Sequence, residues 1–289
     1  EQHKTVETWG SILDKLVAIQ ARRDATLVAL GGGVVGDITG YAAASYMRGI
    51  RFVQAPTTLL SQVDASVGGK TGVNHPNGKN LIGAFHQPHA VMIDSASLDT
   101  LQAREFNAGM AEVVKYGALC DREFYDWLQV NAALIAGRDE SAIDHLIERS
   151  VLDKAEIVGQ DEKESGIRAL LNLGHSFGHA LESETAYDRF LHGEAVAIGM
   201  VTAAKLSEDR GFCEAGTAES LAALLKKFDL PVHIPDDLSV DRLAAALKLD
   251  KKAVASGLRL VLLKAIGEAF VDQGSTAEQI LNAIKESQG

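Results

Sequence analysis

"TLVALGGGVVGDITGY", residues 26–41, joins a short apolar run to a glycine turn and then to a segment with helical spacing. An apolar run of this length that ends at glycines is typical of a buried β-strand. Gly31, Gly33 and Gly36 fit the pattern G-x-G-x-x-G at the turn from strand to helix. Glycines at such a turn let the backbone approach a pyrophosphate, and the helix N-terminus supplies N–H donors and a positive dipole. The stretch predicts a dinucleotide-binding unit; the alternative is a glycine turn needed only for packing.

Strands and helices alternate on either side of this stretch. Patterns predict an amphipathic helix over residues 7–23, strands over 51–55 and 90–94, a short helix over 57–64, and a long loop over 65–88. A β-α-β-α-β order predicts a parallel, doubly wound, Rossmann-like sheet. The acidic residue that usually binds ribose after the second strand is missing, since "RFVQA" ends in Gln54 and Ala55.

The remainder of the chain has mainly helical periodicity. Helices are predicted over residues 102–119, 121–136, 140–160, 169–185, 192–210, 216–228 and 275–287, with a single strand over 258–263. We therefore predict an N-terminal α/β domain over residues 1–100 and a mostly α-helical domain over residues 101–289. Two closely packed domains with a ligand cleft between them are expected.

Composition narrows the class of protein. The 289 residues are 46% hydrophobic and 23% charged, as in ordinary globular proteins, and carry a net charge of −11. Such acidity argues against nucleic-acid binding, although a few lysines in one cleft can still bind a small anion. Two cysteines in no metal-type spacing favour a reducing, cytoplasmic compartment. No membrane-spanning run or signal peptide is recognisable. The start "EQHKTVETWG" lacks Met and enters a helix almost directly, so we expect a fragment whose N-terminus lies upstream.

Three histidines and a glutamate suggest a metal centre. "NLGHSFGHA" (172–180) places His175 and His179 on one helical face, with Ser176 where a metalloprotease would have its glutamate base. His192 follows in "LHGEAVAIGM", and "GMAEVVKYG" holds Glu112 in apolar surroundings, where a buried charge needs a partner or a metal. One Glu and two His suit catalytic zinc. The pattern leaves open which two histidines bind, and structural core histidines are the alternative.

Basic and polar residues supply candidate anion contacts. The segment "DASVGGKTGVN" and the following "NGKNLIG" carry Asp64, Lys70, Lys79 and Asn80 in a loop too glycine-rich for a mere connector. Lys115 lies one helical turn after Glu112. Further basic residues in the helical half are Lys154, Arg168, Lys251 and Lys252. Each of these taken singly is also compatible with a solvated surface charge.

Long co-linear stretches resemble the 3-dehydroquinate synthase family. They are "GGGVVGDITGYAAASYMRGIRFVQAPTTLLSQVDASVGGKTGVNHPNGKNLIGAFHQP", "EFNAGMAEVVKYG", "LLNLGHSFGHALE", "HGEAVAIGM" and "LDKKAVASGLRLVLLKAIG". The likeness covers nearly the whole chain. It implies conversion of 3-deoxy-D-arabino-heptulosonate 7-phosphate to 3-dehydroquinate and phosphate with NAD and a divalent metal. The implied steps are transient oxidation, phosphate β-elimination, reduction, ring opening and an intramolecular aldol reaction.

The resemblance also implies roles for individual residues. The zinc or cobalt ligands would be Glu112, His175 and His192. Residues along the NAD cleft would be Glu1, Lys4, Gly32, Gly33, Asp37, Thr57, Thr58, Asp64, Lys70, Lys79 and Asn80. Catalytic and substrate contacts would be His179, Lys115, Lys154, Arg168, Asn172 and Asp64. Phosphate would be bound by Lys70, Lys79, Asn80, one of Lys251 and Lys252, and Arg48 from a neighbouring subunit, which implies a homodimer. The missing ribose acid would lie in the upstream segment.

Three alternatives remain open at this point. A polyol dehydrogenase of the same superfamily would accumulate NADH, and another sugar-phosphate cyclase would give a different product. A non-catalytic fragment would bind metal but not NAD.

Overall fold

The computed structural model describes residues 1–249 and 258–289. These residues divide into two compact units, Glu1–Phe106 and Asn107–Gly289, and the division falls inside one helix. The sequence placed the domain boundary near residue 100. Within the described residues, no helix is both long and apolar enough to cross a membrane.

The first unit contains the predicted parallel sheet. Its elements are α1 (Val6–Ala18), β1 (Thr26–Gly31), α2 (Gly33–Ser45), β2 (Arg51–Pro56), β3 (Lys70–His75), β4 (Gly78–Phe85) and β5 (Ala90–Val91). Strands β1, β2 and β5 are parallel and adjacent in that order, with Thr26 opposite Arg51. A cluster of Leu16, Ala43, Tyr46, Ile50 and Phe52 packs α1, α2 and β2 together. The strand–turn–helix prediction for residues 26–45 is confirmed.

Strand β1 differs from the buried strand that its apolar run predicts. Only Ala29 of this strand is buried, whereas Val28 and Leu30 are 64% and 70% exposed. Among the described residues β1 pairs with β2 alone, so one edge of it stays unpaired. An apolar run predicts a strand, but the burial of that strand depends on which other elements pack against it.

Residues 65–88 form a hairpin where the sequence predicted a loop. β3 and β4 are antiparallel, and Gly72 lies directly opposite Gly83. A Cβ atom on Gly72 would come within 2.6 Å of the Ile82 carbonyl oxygen, and one on Gly83 within 2.1 Å of the Thr71 carbonyl oxygen. The glycines that suggested a loop therefore permit a close strand approach. The Asn-Gly pair at 77–78 is a recognised hairpin signal and lies at the turn between the two strands.

The second unit is mostly helical and is organised around one buried helix. Its elements are α3 (Ala103–Leu119), which begins in the first unit, α4 (Arg122–Ala136), α5 (Glu140–Gln160), α6 (His175–Glu184), α7 (His192–Asp209), α8 (Thr217–Lys226), α9 (Val240–Leu249), β6 (Leu260–Ala265), β7 (Glu268–Asp272) and α10 (Ala277–Glu286). Helix α7 is buried along most of its length. It packs against α6, α8, α10 and β6.

In this unit one predicted helix was wrong and two elements were missed. The helix predicted over residues 169–185 is two elements, a 3-10 segment at Ile167–Asn172 and then α6. Gly174 separates them at φ 79°, a left-handed value that glycine adopts without strain. Helix α9 had no predicted counterpart, and neither did β7, which pairs with β6 antiparallel. A short strand with charged ends carries little periodic signal of its own.

Candidate metal centre

Three helices of the second unit bring the histidines and the glutamate together. His175 is the first residue of α6 and His192 is the first residue of α7, while Glu112 lies within α3. Helices α6 and α7 are in backbone contact: a Cβ atom on Gly199 would lie 2.1 Å from the Gly174 carbonyl oxygen. Across this contact the imidazole rings of His175 and His192 reach one another, with ring centroids 5.2 Å apart.

The side chains converge on one carboxylate oxygen. The Nε2 atoms of His175 and His192 lie 3.5 and 3.6 Å from Glu112 Oε1. His179, one turn along α6, has its ring centroid 5.5 Å from that of His175 and 5.9 Å from that of His192. Lys115 forms an ion pair with the other carboxylate oxygen of Glu112, and both of these side chains are fully buried.

The donor set fits a divalent cation such as zinc. Two ligands held about 2.0–2.1 Å from a tetrahedral ion lie roughly 3.3 Å apart, close to the separations between Nε2 and Oε1. Neither oxygen of Glu112 accepts a hydrogen bond of acceptable geometry among the described residues. Lys115 compensates the charge at Oε2, so Oε1, which faces both imidazoles, is the oxygen placed to bind a cation. A second group, made of His179, Glu182 and His192, also has metal-capable atoms within 4.8 Å of one another.

The protonation state of His175 agrees with metal binding. Burial, followed by the nearby Lys115 charge, lowers the pKa of His175 well below its ordinary value. The Nδ1 atom of His175 lies 3.2 Å from the Leu173 carbonyl oxygen, which can only accept, so Nδ1 carries the hydrogen. The Nε2 lone pair, directed toward Glu112, is then available to a metal ion.

The predicted substrate contacts Lys154, Arg168 and Asn172 lie on two elements of the helical unit, α5 and the 3-10 segment. Lys154 on α5 and Arg168 in the 3-10 segment are both buried, at 6% and 1% exposure. The guanidinium of Arg168 donates to the Glu162 carbonyl oxygen. Asn172 Nδ2 donates to Glu164 Oε1 over 2.9 Å. Arg168 and Asn172 therefore depend on the loop at residues 161–166 for their positions.

Asp161 organises that loop, and the sequence analysis missed it. Its carboxylate accepts hydrogen bonds from the backbone N–H groups of Ser165, Gly166 and Arg168, at 2.9, 2.7 and 3.1 Å. These bonds, led by the one from Ser165, lower the pKa of Asp161 to about 2. The sequence signal is an Asp that ends a long helix, followed by a turn with Ser165 and Gly166.

Replacing Asp161 by Asn is expected to loosen the loop that carries Arg168. An amide presents one acceptor and one donor where three N–H groups require an acceptor, so amide protection of Ser165 and Gly166 should fall. Hydrogen exchange followed by mass spectrometry measures this, with the exposed Asp144 on α5 changed to Asn as control. Because the folded-state pKa is depressed, the carboxylate's contribution in the wild type is complete above about pH 4 and is lost toward pH 2. Equal protection in Asp161→Asn and wild type would show that Asp161 does not order the loop.

Glu182 is the other functional candidate that sequence analysis missed. Its buried carboxylate lies 3.4 Å from Nδ1 of His192. The signal was present as the i, i+3 spacing of His179 and Glu182 in "HALE", on the face of α6 that carries both histidines.

The first unit gathers its own set of predicted residues. The ammonium of buried Lys4 donates to Asp37 over 2.8 Å, and Asn74, which was not predicted, donates to Glu1 over 2.8 Å. The backbone N–H of Asn80 donates to the Asn74 side chain over 2.9 Å. Glu1, Lys4, Asp37 and Asn80 are thus linked around α2, β3 and β4.

The glycine turn is shaped by its neighbours. Gly32 precedes α2, and a Cβ atom there would lie 3.1 Å from the Thr58 side chain. A Cβ atom on Gly36 would lie 2.5 Å from Gln54 Oε1. Gln54, at the ribose-acid position, therefore points under the helix, and Gly36 makes room for it.

The other predicted residues of this unit lie on its turns and hairpin. Lys70 begins β3 and is exposed, Lys79 and Asn80 are on β4, and Gly33 begins α2. Thr57 donates its N–H to the Gly31 carbonyl oxygen, and Asp64 belongs to the short helical segment Ser61–Ala65. Arg48 is exposed in a turn in which Met47, Arg48 and Gly49 all have positive φ. Lys251 and Lys252 lie outside the described residues.

Comparison with known proteins places the chain among a set of cyclases. Family models described as 3-dehydroquinate synthase N-terminal and C-terminal match residues 1–108 and 109–253. A 3-dehydroquinate synthase from Teredinibacter turnerae is 54% identical over 271 residues, which span 94% of this chain and 75% of that protein.

Two solved structures are also similar. The 2-epi-5-epi-valiolone synthase of Streptomyces hygroscopicus subsp. jinggangensis, with NAD+ and Zn2+ bound, is 32% identical with a TM-score of 0.92; the match covers 99% of this chain and 80% of that one. A 2-deoxy-scyllo-inosose synthase complexed with carbaglucose-6-phosphate, NAD+ and Co2+ is 26% identical with a TM-score of 0.85, covering 99% and 81%.

Proposed function

The chain belongs to the 3-dehydroquinate synthase family, and from that premise we propose how its own residues carry out the family's reaction. It is a carbon–oxygen lyase that converts 3-deoxy-D-arabino-heptulosonate 7-phosphate to 3-dehydroquinate and phosphate, using NAD and a divalent metal. The observation that carries the proposal is the convergence of His175 and His192 on the buried carboxylate of Glu112, within one group of metal-capable atoms.

We assign the cation to Glu112, His175 and His192. The family's structural relatives hold Zn2+ in one case and Co2+ in another, and one carboxylate with two imidazoles is a donor set of catalytic zinc. A cation there would polarise a substrate hydroxyl, and NAD would take up and return a hydride. Lys115 adds a buried positive charge next to Glu112, in position to hold a substrate oxygen that becomes negative.

His179 is the proposed proton carrier. It lies one helical turn from His175 and within 6 Å, ring to ring, of both proposed ligand histidines. An imidazole free of metal can accept and return a proton near neutral pH. Lys154, Arg168 and Asn172 are assigned to substrate binding. The Lys154 and Arg168 side chains carry positive charge, which suits an anionic substrate.

The NAD contacts and most of the phosphate contacts are assigned to residues of the first unit. Lys70, Lys79 and Asn80 are proposed to bind the phosphate that leaves, with help from Lys251 or Lys252. The turn at Gly31–Gly33 is proposed to receive the NAD pyrophosphate at the start of α2, where backbone N–H groups point outward. The remaining proposed contacts along the NAD cleft are Glu1, Lys4, Asp37, Thr57, Thr58 and Asp64.

We infer a homodimer in which Arg48 reaches the neighbouring subunit's site. Two hydrogen bonds fix the exposed turn at residues 47–49. The Tyr46 hydroxyl donates to the Ala21 carbonyl oxygen over 2.8 Å, and Arg23 donates to the Met47 carbonyl oxygen over 3.2 Å. Such a supported turn can present an arginine outward. A cytoplasmic location is proposed too, in keeping with the unpaired thiols of Cys120 and Cys213.

A coupled assay tests the reaction. The chain is mixed with NAD, Zn2+ or Co2+ and 3-deoxy-D-arabino-heptulosonate 7-phosphate, and phosphate and 3-dehydroquinate are measured together. Equal amounts of both products with no net NADH are expected. Net NADH would indicate a dehydrogenase, another carbocycle would indicate a different cyclase, and metal binding without NAD binding or phosphate release would indicate an inactive fragment.

A further inference from the structure

We propose that Glu182 is a positioning residue for the metal centre: its carboxylate fixes the tautomer and orientation of His192. The inference rests on the proposed function's assignment of His192 as a metal ligand. It adds a fourth residue that does not itself bind the cation.

The geometry places His192 between two carboxylates. Its Nδ1 atom lies 3.4 Å from Glu182 Oε2, and its Nε2 atom lies 3.6 Å from Glu112 Oε1. An ionised carboxylate only accepts hydrogen bonds, so the Nδ1 that faces Glu182 carries the hydrogen. The neutral tautomer then presents the Nε2 lone pair on the side of Glu112 and His175.

Packing holds Glu182 where this contact forms. Glu182 is buried at 3% exposure on α6, seven residues after His175 and on the same helical face. Gly178, between them, lets α6 approach α7: a Cβ atom there would lie 3.1 Å from the Ala195 carbonyl oxygen. A carboxylate is rarely buried without a specific partner, and the imidazole of His192 supplies one.

The two proposed ligand histidines are held by different acceptors. His175 Nδ1 faces a neutral carbonyl oxygen of Leu173, whereas His192 Nδ1 faces a negative carboxylate. A carboxylate partner raises the basicity of the imidazole and locks its ring, which strengthens its bond to a metal. The charge of Glu182 also offsets the positive charge that Lys115 and a divalent cation bring together. His192 is therefore the ligand whose affinity depends on a charged partner.

The competing possibility is that Glu182 binds the cation directly, with His179 and His192. The distances favour Glu112 in that role, because two imidazole Nε2 atoms approach the same Glu112 oxygen at nearly equal distances. Direct ligation by Glu182 would use His192 through Nδ1 and would leave His175 outside the centre. The two arrangements thus predict opposite effects of changing His175 and Glu182.

Metal affinity measured apart from turnover tests the proposal. Zn2+ dissociation constants are determined by competition with a chromophoric chelator for the wild type, Glu182→Gln, Glu182→Ala and Glu184→Gln, and the Co2+ forms are compared by visible absorption. Glu184, two residues along α6, pairs with Arg242 and serves as the matched charge control. We expect Glu182→Ala to weaken Zn2+ binding by about 10–100-fold and to alter the Co2+ spectrum. The isosteric Glu182→Gln should restore part of the affinity, because its amide oxygen can still accept from Nδ1, and Glu184→Gln should match the wild type.

Two results would overturn the proposal. Unchanged Zn2+ affinity and Co2+ spectra in both Glu182 variants would show that the carboxylate does not hold His192. Abolished binding in both, with binding retained in His175→Ala, would make Glu182 a ligand. Melting temperatures of the metal-free proteins identify any variant that fails to fold, in which case the Gln variant decides. A wild type that binds Zn2+ but forms no 3-dehydroquinate would refute the proposed function and leave this inference standing.

Discussion

Replacing His175 by Ala is expected to strip the divalent cation from the protein, while replacing His179 by Ala leaves it bound. His175 Nε2 lies 3.5 Å from Glu112 Oε1, which is the separation expected between two ligands of one ion. Loss of one of three ligands should weaken Zn2+ affinity by more than about 100-fold, beyond the loss typical of an outer partner. Metal content after dialysis and chelator competition measure the difference.

The His179 variant separates metal binding from proton transfer. His179→Ala is expected to keep near wild-type Zn2+ affinity and to lower phosphate release by about 10²–10⁴-fold, the range for loss of a general acid–base group. The two histidines lie on the same helix one turn apart, so each variant controls for general damage to α6. Equal metal loss in both would place both histidines in the coordination sphere. Metal loss in His179→Ala alone would favour the alternative centre with Glu182 and His192.

The sequence predicted the site best where reactive side chains stand in a helical pattern. Helical spacing placed His175 and His179 on one face, and the apolar neighbours of Glu112 predicted its burial. Which histidines meet Glu112 depends on how α3, α6 and α7 pack. Residue spacing within one helix says nothing about contacts between helices, so the ligand set came from family resemblance and its roles stay predictions.

Other features escaped the sequence because a tertiary neighbour decides them. Gly72 and Gly83 carry no strand propensity, yet their facing positions allow β3 and β4 to pair. Glu182 looks like an ordinary helix-surface residue until His192, ten residues later, lies against it. Asp161 becomes important only when the chain folds back to place three N–H groups around it. Each of these roles arises from a contact formed on folding, which a local sequence pattern does not show.

Gly193→Ala is the substitution expected to damage both stability and the metal centre most. A Cβ atom on Gly193 would lie 1.8 Å from the carbonyl oxygen of Ala108 and 2.6 Å from its carbonyl carbon, both backbone atoms of α3. Backbone cannot rotate aside as a side chain can, so α3 and α7 must separate. Overpacking usually costs about 1–3 kcal/mol, and a clash with backbone belongs at or above the top of that range.

The position of Gly193 ties this strain to metal binding. It follows His192 directly on α7, and Ala108 precedes Glu112 by one turn on α3. Separating the helices there moves two proposed ligands apart, so Gly193→Ala should lower the melting temperature and weaken Zn2+ affinity together. Gly159 in α5 is the matched control: apart from its own stretch of helix, no atom lies within 4 Å of its Cβ position, and Ala there should stabilise the protein by about 0.5–1 kcal/mol. A Gly193→Ala protein with normal stability but lost metal would mean that α7 shifts without strain. A protein with lowered stability but normal Zn2+ affinity would show that the contact between α3 and α7 does not control metal binding.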